Sequence, residues 1–210
     1  MATPAGIPVQ GWLTIAAVCV GGAISPGPSL ALVLRNTARG GRAGGVMTGI
    51  GHGIGVGLYA LAAVAGAAAV FSRYPMAQQV VELLGAIFLA YLGVDSWRPA
   101  RAQVASVQTV DSPGGQGFVQ GFLFAFLNPK IAIFFLALLT PFLPLDAPIF
   151  DRAGVALLAL LIDAGWYVLV AAILSSGDLL QRIEARSVLI DRVMGIILLS
   201  LSLWMVSRLL

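Results

Sequence analysis

The chain has 210 residues, 59% of them hydrophobic and only 10% charged, with mean hydropathy +0.96 and a formal net charge of +3. A soluble domain carries roughly 25% charged residues, so these proportions exclude one and indicate an integral membrane protein. A single cysteine, Cys19, and a single histidine, His52, exclude an internal disulfide, a thiol redox pair and a His-rich metal site, and a positive charge carried by arginines in short loops reads as membrane topology with no call for nucleic acid.

Residues 1–12 contain no Lys or Arg, so the positive n-region of a secretory signal is missing and the first apolar segment is expected to stay as a membrane helix. A spanning helix needs roughly 20 mainly apolar residues. Six such segments are predicted, at about 11–35, 44–71, 76–97, 117–140, 153–175 and 188–208.

The first segment is uncharged from Leu13 to Leu34 but is interrupted by Ser25-Pro26-Gly27-Pro28. Proline removes a backbone donor and clashes with the preceding turn. In hydrocarbon each freed backbone group must find another partner, at a cost of several kcal/mol. A helix restarted after such a break presents free N–H groups and a positive dipole end, which favour anions such as a carboxylate. The alternative is a simple kink in a packed helix.

The second segment carries glycines at 45, 49, 53 and 57, extended by Gly51 and Gly55. This four-residue ladder of small residues predicts close helix packing. His52 lies within it, either as a hydrogen-bonded packing residue or as a proton carrier. The third segment has Glu82 and Asp95 near its ends. Residues 98–116 form a polar connector with Pro113-Gly114-Gly115.

The fourth segment repeats the interruption at Asn128-Pro129-Lys130, with Phe134 and Phe135 behind it. A cation near the bilayer centre costs roughly 2.5–3.5 kcal/mol on insertion scales, so Lys130 must pair in space, face water or snorkel to the surface. The fifth segment holds Asp163 in mid-span. Trp166 and Tyr167 follow it by three and four residues, on the same helical face. That carboxylate can salt-bridge Lys130, bind a substrate ammonium or carry a coupling proton.

Corresponding features recur in the two halves. Leu84-Gly85-Ala86-Ile87 parallels Met194-Gly195-Ile196-Ile197, Gly51-His52-Gly53 parallels Ile162-Asp163-Ala164, and each first helix is broken. Three spans per half is an odd number, so the second half enters from the opposite side. The predicted fold is all-α, with six transmembrane helices in two inverted three-helix repeats, residues 1–97 and 117–210, whose first and fourth helices are broken. One side collects Arg35, Arg39, Arg42, Arg98, Arg101, Arg182, Arg186 and Arg192, the other Arg73, Arg152 and Arg208. Positive-inside bias makes the first side cytoplasmic and places both termini outside. Trp12, Trp97 and Trp204 fall near span ends, as interfacial anchors do.

Taken together, the Pro-Gly-Pro motif, the arginine-bearing stretch Arg35 to Arg42, the Gly-rich second helix, Asn-Pro-Lys with Phe134-Phe135, and the set Asp163, Trp166, Tyr167 resemble the lysine exporter (LysE/RhtB) family over nearly the full length. The resemblance implies an inner-membrane exporter of amino acids or close derivatives, driven by the proton gradient. It also implies that Pro26, Pro28, Asn128, Pro129, Lys130 and Asp163 belong to the transport site. His52 matches no family-wide motif.

The expected mechanism is alternating access. A zwitterionic substrate would place its carboxylate near Gly27-Pro28 and Asn128-Lys130 and its ammonium at Asp163, with Ser25 and Tyr167 completing the pocket. Proton entry at Asp163, with His52 as a second candidate, would compete with the ammonium. No cofactor is expected, because no phosphate-binding Gly-Lys-Ser/Thr loop occurs. No Ser-His-Asp arrangement and no metal cluster is expected from one His and one Cys. The alternatives are cation or metal efflux within the same superfamily and a membrane-embedded lipid-handling protein. Glycines on outward faces would allow a homodimer.

Overall fold

The computed structural model describes residues 6–25, 27–97, 116–142, 147–173 and 178–209. Pro26 and the connector at 98–115 lie outside them. Every regular element among the described residues is an α-helix: α1 (Val9–Ile24), α2 (Pro28–Arg73), α3 (Pro75–Asp95), α4 (Gly117–Phe126), α5 (Pro129–Leu139), α6 (Ile149–Ile173) and α7 (Asp178–Leu209).

Four helical stretches are long and apolar enough to cross a membrane: α2, residues 76–95, α6 and residues 191–209. A fifth candidate is the pair α4 and α5, bent by 58° at the break between them, while α1 is apolar but short at 16 residues. The outer surface is apolar, with Leu13, Leu84, Ile87, Tyr91, Leu157, Leu161 and Leu203 all exposed. A water-soluble monomer does not show so much contiguous apolar surface. The polar groups are turned inward instead, with Asn36, Thr48, His52, Asp163, Asp191 and Ser202 buried. This is a multi-pass membrane protein.

Both marked interruptions are real breaks. α1 ends where Ser25 leaves the helical backbone (φ −58°, ψ 123°), and α2 restarts at Pro28. α4 ends at Phe126, and α5 restarts at Pro129 behind the extended Asn128 (φ −88°, ψ 104°). Proline suits the first helical position because its missing N–H would have no acceptor there. The predicted loop between the first two segments is replaced by a sharp elbow. Helix runs from 28 through the arginine-bearing stretch, turns at Gly41 (φ 63°) and continues to 73. Only a residue without Cβ adopts that φ freely. Asn36 braces the elbow, its Nδ2 donating to Thr48 Oγ1 (2.9 Å) and Gln120 Oε1 (2.8 Å).

The glycine ladder packs closely within the chain, as its spacing predicts. Its two faces serve two neighbours. A Cβ at Gly49 would lie 2.9 Å from Tyr167 Cβ, and one at Gly53 2.6 Å from Ala164 Cβ, both on α6. On the other side, a Cβ at Gly51 would lie 2.1 Å from the Phe118 carbonyl oxygen of α4. α2 is therefore pressed between α4 and α6, its closest neighbours. In lipid, where no hydrophobic drive joins helices, such backbone approach is a main source of association. α3 runs antiparallel to the last helix: Gly93 meets Leu199, Gly85 approaches Met205, and Ser202 Oγ donates to the Ala86 carbonyl (2.8 Å).

Candidate functional site

The close packing of α2 on α6 sets His52 beside Asp163. His52 Nδ1 lies 2.6 Å from Asp163 Oδ2, and His52 Nε2 lies 3.0 Å from Ser29 Oγ. A carboxylate at Nδ1 favours the tautomer that donates there and leaves Nε2 to accept the Ser29 hydroxyl; a protonated ring would instead donate at both nitrogens. Ser29 stands in the first turn after the Pro28 restart. Tyr167 meets the His52 ring edge-on, with centroids 5.0 Å apart. One continuous polar chain thus runs Ser29, His52, Asp163. It corrects the expectation that no Ser-His-Asp arrangement could form, because the three residues come from two different helices.

Of the alternatives open to Asp163, the salt bridge to Lys130 is not the one formed. The ion-pair partner of Asp163 is His52, not Lys130. His52 is 2% exposed, whereas the Asp163 side chain keeps 12% exposure.

These groups line a cavity of about 220 Å³ between the two breaks. That is below the roughly 300–1,000 Å³ typical of drug-sized ligands, so the cavity suits a small metabolite. Its polar wall includes Ser25, Ser29, His52, Asn128, Lys130, Asp163, Tyr167 and Asp191, and its apolar wall Ala23, Ile131, Phe134, Met194 and Leu198. Gly27 and Pro28 line it too. Eight of the residues singled out from sequence therefore converge here. Pro129 does not line the cavity and serves to start α5.

The second break differs from expectation in one respect. Its first amide is not free: the Asn128 side chain caps α5, its Oδ1 accepting from Lys130 N (3.0 Å). The anion-attracting group at this end is the Lys130 ammonium, an exposed side chain with no ion pair among the described residues.

Three polar groups of the site escaped the sequence reading: Ser29, Asp191 and Ser96. Asp191 is buried and accepts a hydrogen bond from Ser25 Oγ (2.7 Å), which ties the final helix to the end of α1. Its position inside the predicted segment 188–208 was a usable signal, because an acid within a membrane span is costly and rarely idle. Ser29 had no signal of its own, since its role depends on the turn at Gly41 that brings His52 of the same helix back to it. Metal efflux would need a cluster of ligating side chains, and among the described residues no group of three or more His, Cys, Asp or Glu forms one.

Comparison with known proteins gives a consistent picture. The sequence profile of the LysE type translocators matches residues 20–208. The leucine efflux proteins of Salmonella choleraesuis and Salmonella typhimurium are each 29% identical over 126 residues, 59% of this chain. The aligned part spans 58% of the length of those relatives. A membrane protein of Bacillus subtilis described as uncharacterized, YrhP, is 25% identical over 197 residues, covering 89% of this chain and 92% of its own length. No solved structure gives a significant match.

Proposed function

The chain belongs to the LysE type translocator family, and from that premise we propose that it is a secondary active exporter of neutral amino acids or close derivatives, coupled to protons and working by alternating access. It is a translocator and not an enzyme. The observation that carries the proposal is the meeting, in one small cavity between two broken helices, of a cation, Lys130, that makes no ion pair among the described residues, and a buried His52–Asp163 pair.

The cavity offers each part of a zwitterion something complementary. Lys130 and the first-turn amides after Pro28 favour a carboxylate. Ala23, Ile131, Phe134 and Leu198 favour an apolar side chain, in keeping with relatives named for leucine efflux. The Ser29–His52–Asp163 chain supplies the titrating unit. A proton arriving on it converts a carboxylate–imidazole pair of net negative charge into a neutral one, which changes the field felt by a bound substrate.

The layout supports six spans in two inverted halves, with α1 plus residues 28–40 as the first span, residues 42–73 as the second and the bent pair α4–α5 as the fourth. The cavity's rim residues Asp95, Ser96 and Asp191 sit next to Arg98 and Arg192 in sequence, so by positive-inside bias it faces the cytoplasm of the inner membrane and both termini face out. A second cavity of about 830 Å³ lies toward the opposite ends of α1, α3 and α7, with Thr14, Gln78, Glu82 and Arg208 in its wall. Along α1 and α7 between the two lie the buried Val18, Leu198 and Leu201. Alternating access would part this thin apolar layer.

The test is uptake of an amino-acid panel by everted vesicles under an imposed proton gradient. Neutral apolar amino acids should accumulate, and Asp163→Asn should abolish gradient-driven uptake while the protein remains in the membrane. Undiminished proton-driven uptake by that variant would refute the coupling role. Protection against cadmium, without protection against toxic amino-acid analogues, would favour the cation reading.

A further inference from the structure

We infer that Asp191 and Ser25 form the subsite for the ammonium group of the transported molecule, so that the substrate must carry a free amine. This rests on the exporter reading above and moves the ammonium away from Asp163.

Two carboxylates of the cavity wall are equally buried, Asp163 and Asp191 at 8% exposure each. They differ in what compensates their charge. Asp163 lies 2.6 Å from the His52 ring, so a side chain able to become its cation is already in place. Asp191 accepts one hydrogen bond, from Ser25 Oγ at 2.7 Å, and makes no ion pair with a described Lys, Arg or His. A buried carboxylate without a cation is costly, and a ligand that supplies the cation recovers that cost on binding. A third carboxylate, Asp95, lines the same cavity but has a partner of its own.

The position of Asp191 favours a ligand over mere helix bracing. Ser25 is the residue at which α1 abandons helical backbone, so the hydroxyl that orients Asp191 is itself held at the break. A hydroxyl donating to Oδ1 turns the carboxylate and leaves its second oxygen, and the hydroxyl's own lone pairs, able to accept from an ammonium. Lys130 lines the same cavity with the opposite sign. A molecule bridging Asp191 and Lys130 would satisfy both charges at once, and the chemistry that does so is an α-amino acid.

Everted vesicles carrying the full chain provide the test. Leucine is the transported probe. Two competitors share its side chain but each lacks one charged group: 3-methylbutylamine has no carboxylate, and 4-methylpentanoate has no amine. In the wild type both should inhibit weakly. Asp191→Asn should raise the leucine KM about 10- to 100-fold, as expected for loss of one charged hydrogen bond, and abolish inhibition by the amine while sparing that by the acid. Lys130→Gln should do the reverse. Should Asp191→Asn not reach the membrane, Ser25→Ala should still weaken amine inhibition several-fold relative to acid inhibition. Unchanged amine inhibition in Asp191→Asn, or in Ser25→Ala where that variant stands in for it, overturns the subsite. A wild type that moves no amino acid overturns the exporter reading itself.

Discussion

The two helix breaks use one backbone device and end in opposite chemistry. At the first, Ser25 and Ser29 on either side of the gap hydrogen-bond distant side chains, Asp191 of α7 and His52 beyond the Gly41 elbow of α2. At the second, the chain satisfies itself. Asn128 caps the Lys130 amide, and the Phe126 carbonyl accepts the Tyr59 hydroxyl, while the Lys130 ammonium has no ion-pair partner among the described residues. A proline break therefore does not dictate an anion site. It only frees backbone groups, and the local side chains decide whether those groups are offered to a ligand or used up.

The largest blow to this asymmetry would come from prising α2 off α6. Gly53→Val places side-chain atoms where even a Cβ would lie 2.6 Å from Ala164. Overpacking of this kind costs about 1–3 kcal/mol or more. The expected result is a lowered thermal unfolding midpoint in detergent and loss of transport, whereas Gly66→Ala, with nothing within 4 Å, should leave both unchanged.

A smaller and more selective effect is expected from Lys130→Gln. With no packing partner lost, stability should hold, and the substrate KM should rise about 10- to 100-fold, in line with one charged contact. An unchanged KM would mean that the second break contributes no charge to recognition.

The smallest effect sharpens the contrast. Asn128→Ala removes a helix N-cap, for which about 1 kcal/mol is typical. It should lower the unfolding midpoint slightly. Because it also frees the Lys130 amide toward the cavity, KM should move by less than for Lys130→Gln. If Asn128→Ala proves the more severe of the two for KM, then the capped amide, not the ammonium, faces the substrate.

Much of the frame was legible in the residues. Apolar length, the inward glycine ladder and both break points follow from local rules: hydrocarbon demands satisfied backbone, proline cannot donate, and small residues admit close backbones. The first loop was misplaced because arginines resemble a loop signal. Nothing in Arg35 to Arg42 forbids helix, and one glycine, Gly41, makes the turn. Most of the candidate site was legible as well, because Lys130, Asp163 and His52 are expensive in a membrane wherever they point.

What those rules could not supply was partnership. Asp163 could have gone to Lys130, to a substrate or to a proton, and the choice of His52 depended on α2 meeting α6 in a register set by Gly49 and Gly53 against Tyr167 and Ala164. Asp191 gained its role in the same way, from a helix far along the chain, and Ser29 gained its role from the turn of α2 at Gly41. Sequence alone determined that this protein lies in a membrane and carries costly polar groups at two broken helices. Tertiary structure alone decided which charge is cancelled and which is left open, because hydrogen bonds reach only about 3 Å and that proximity is created by packing between distant segments.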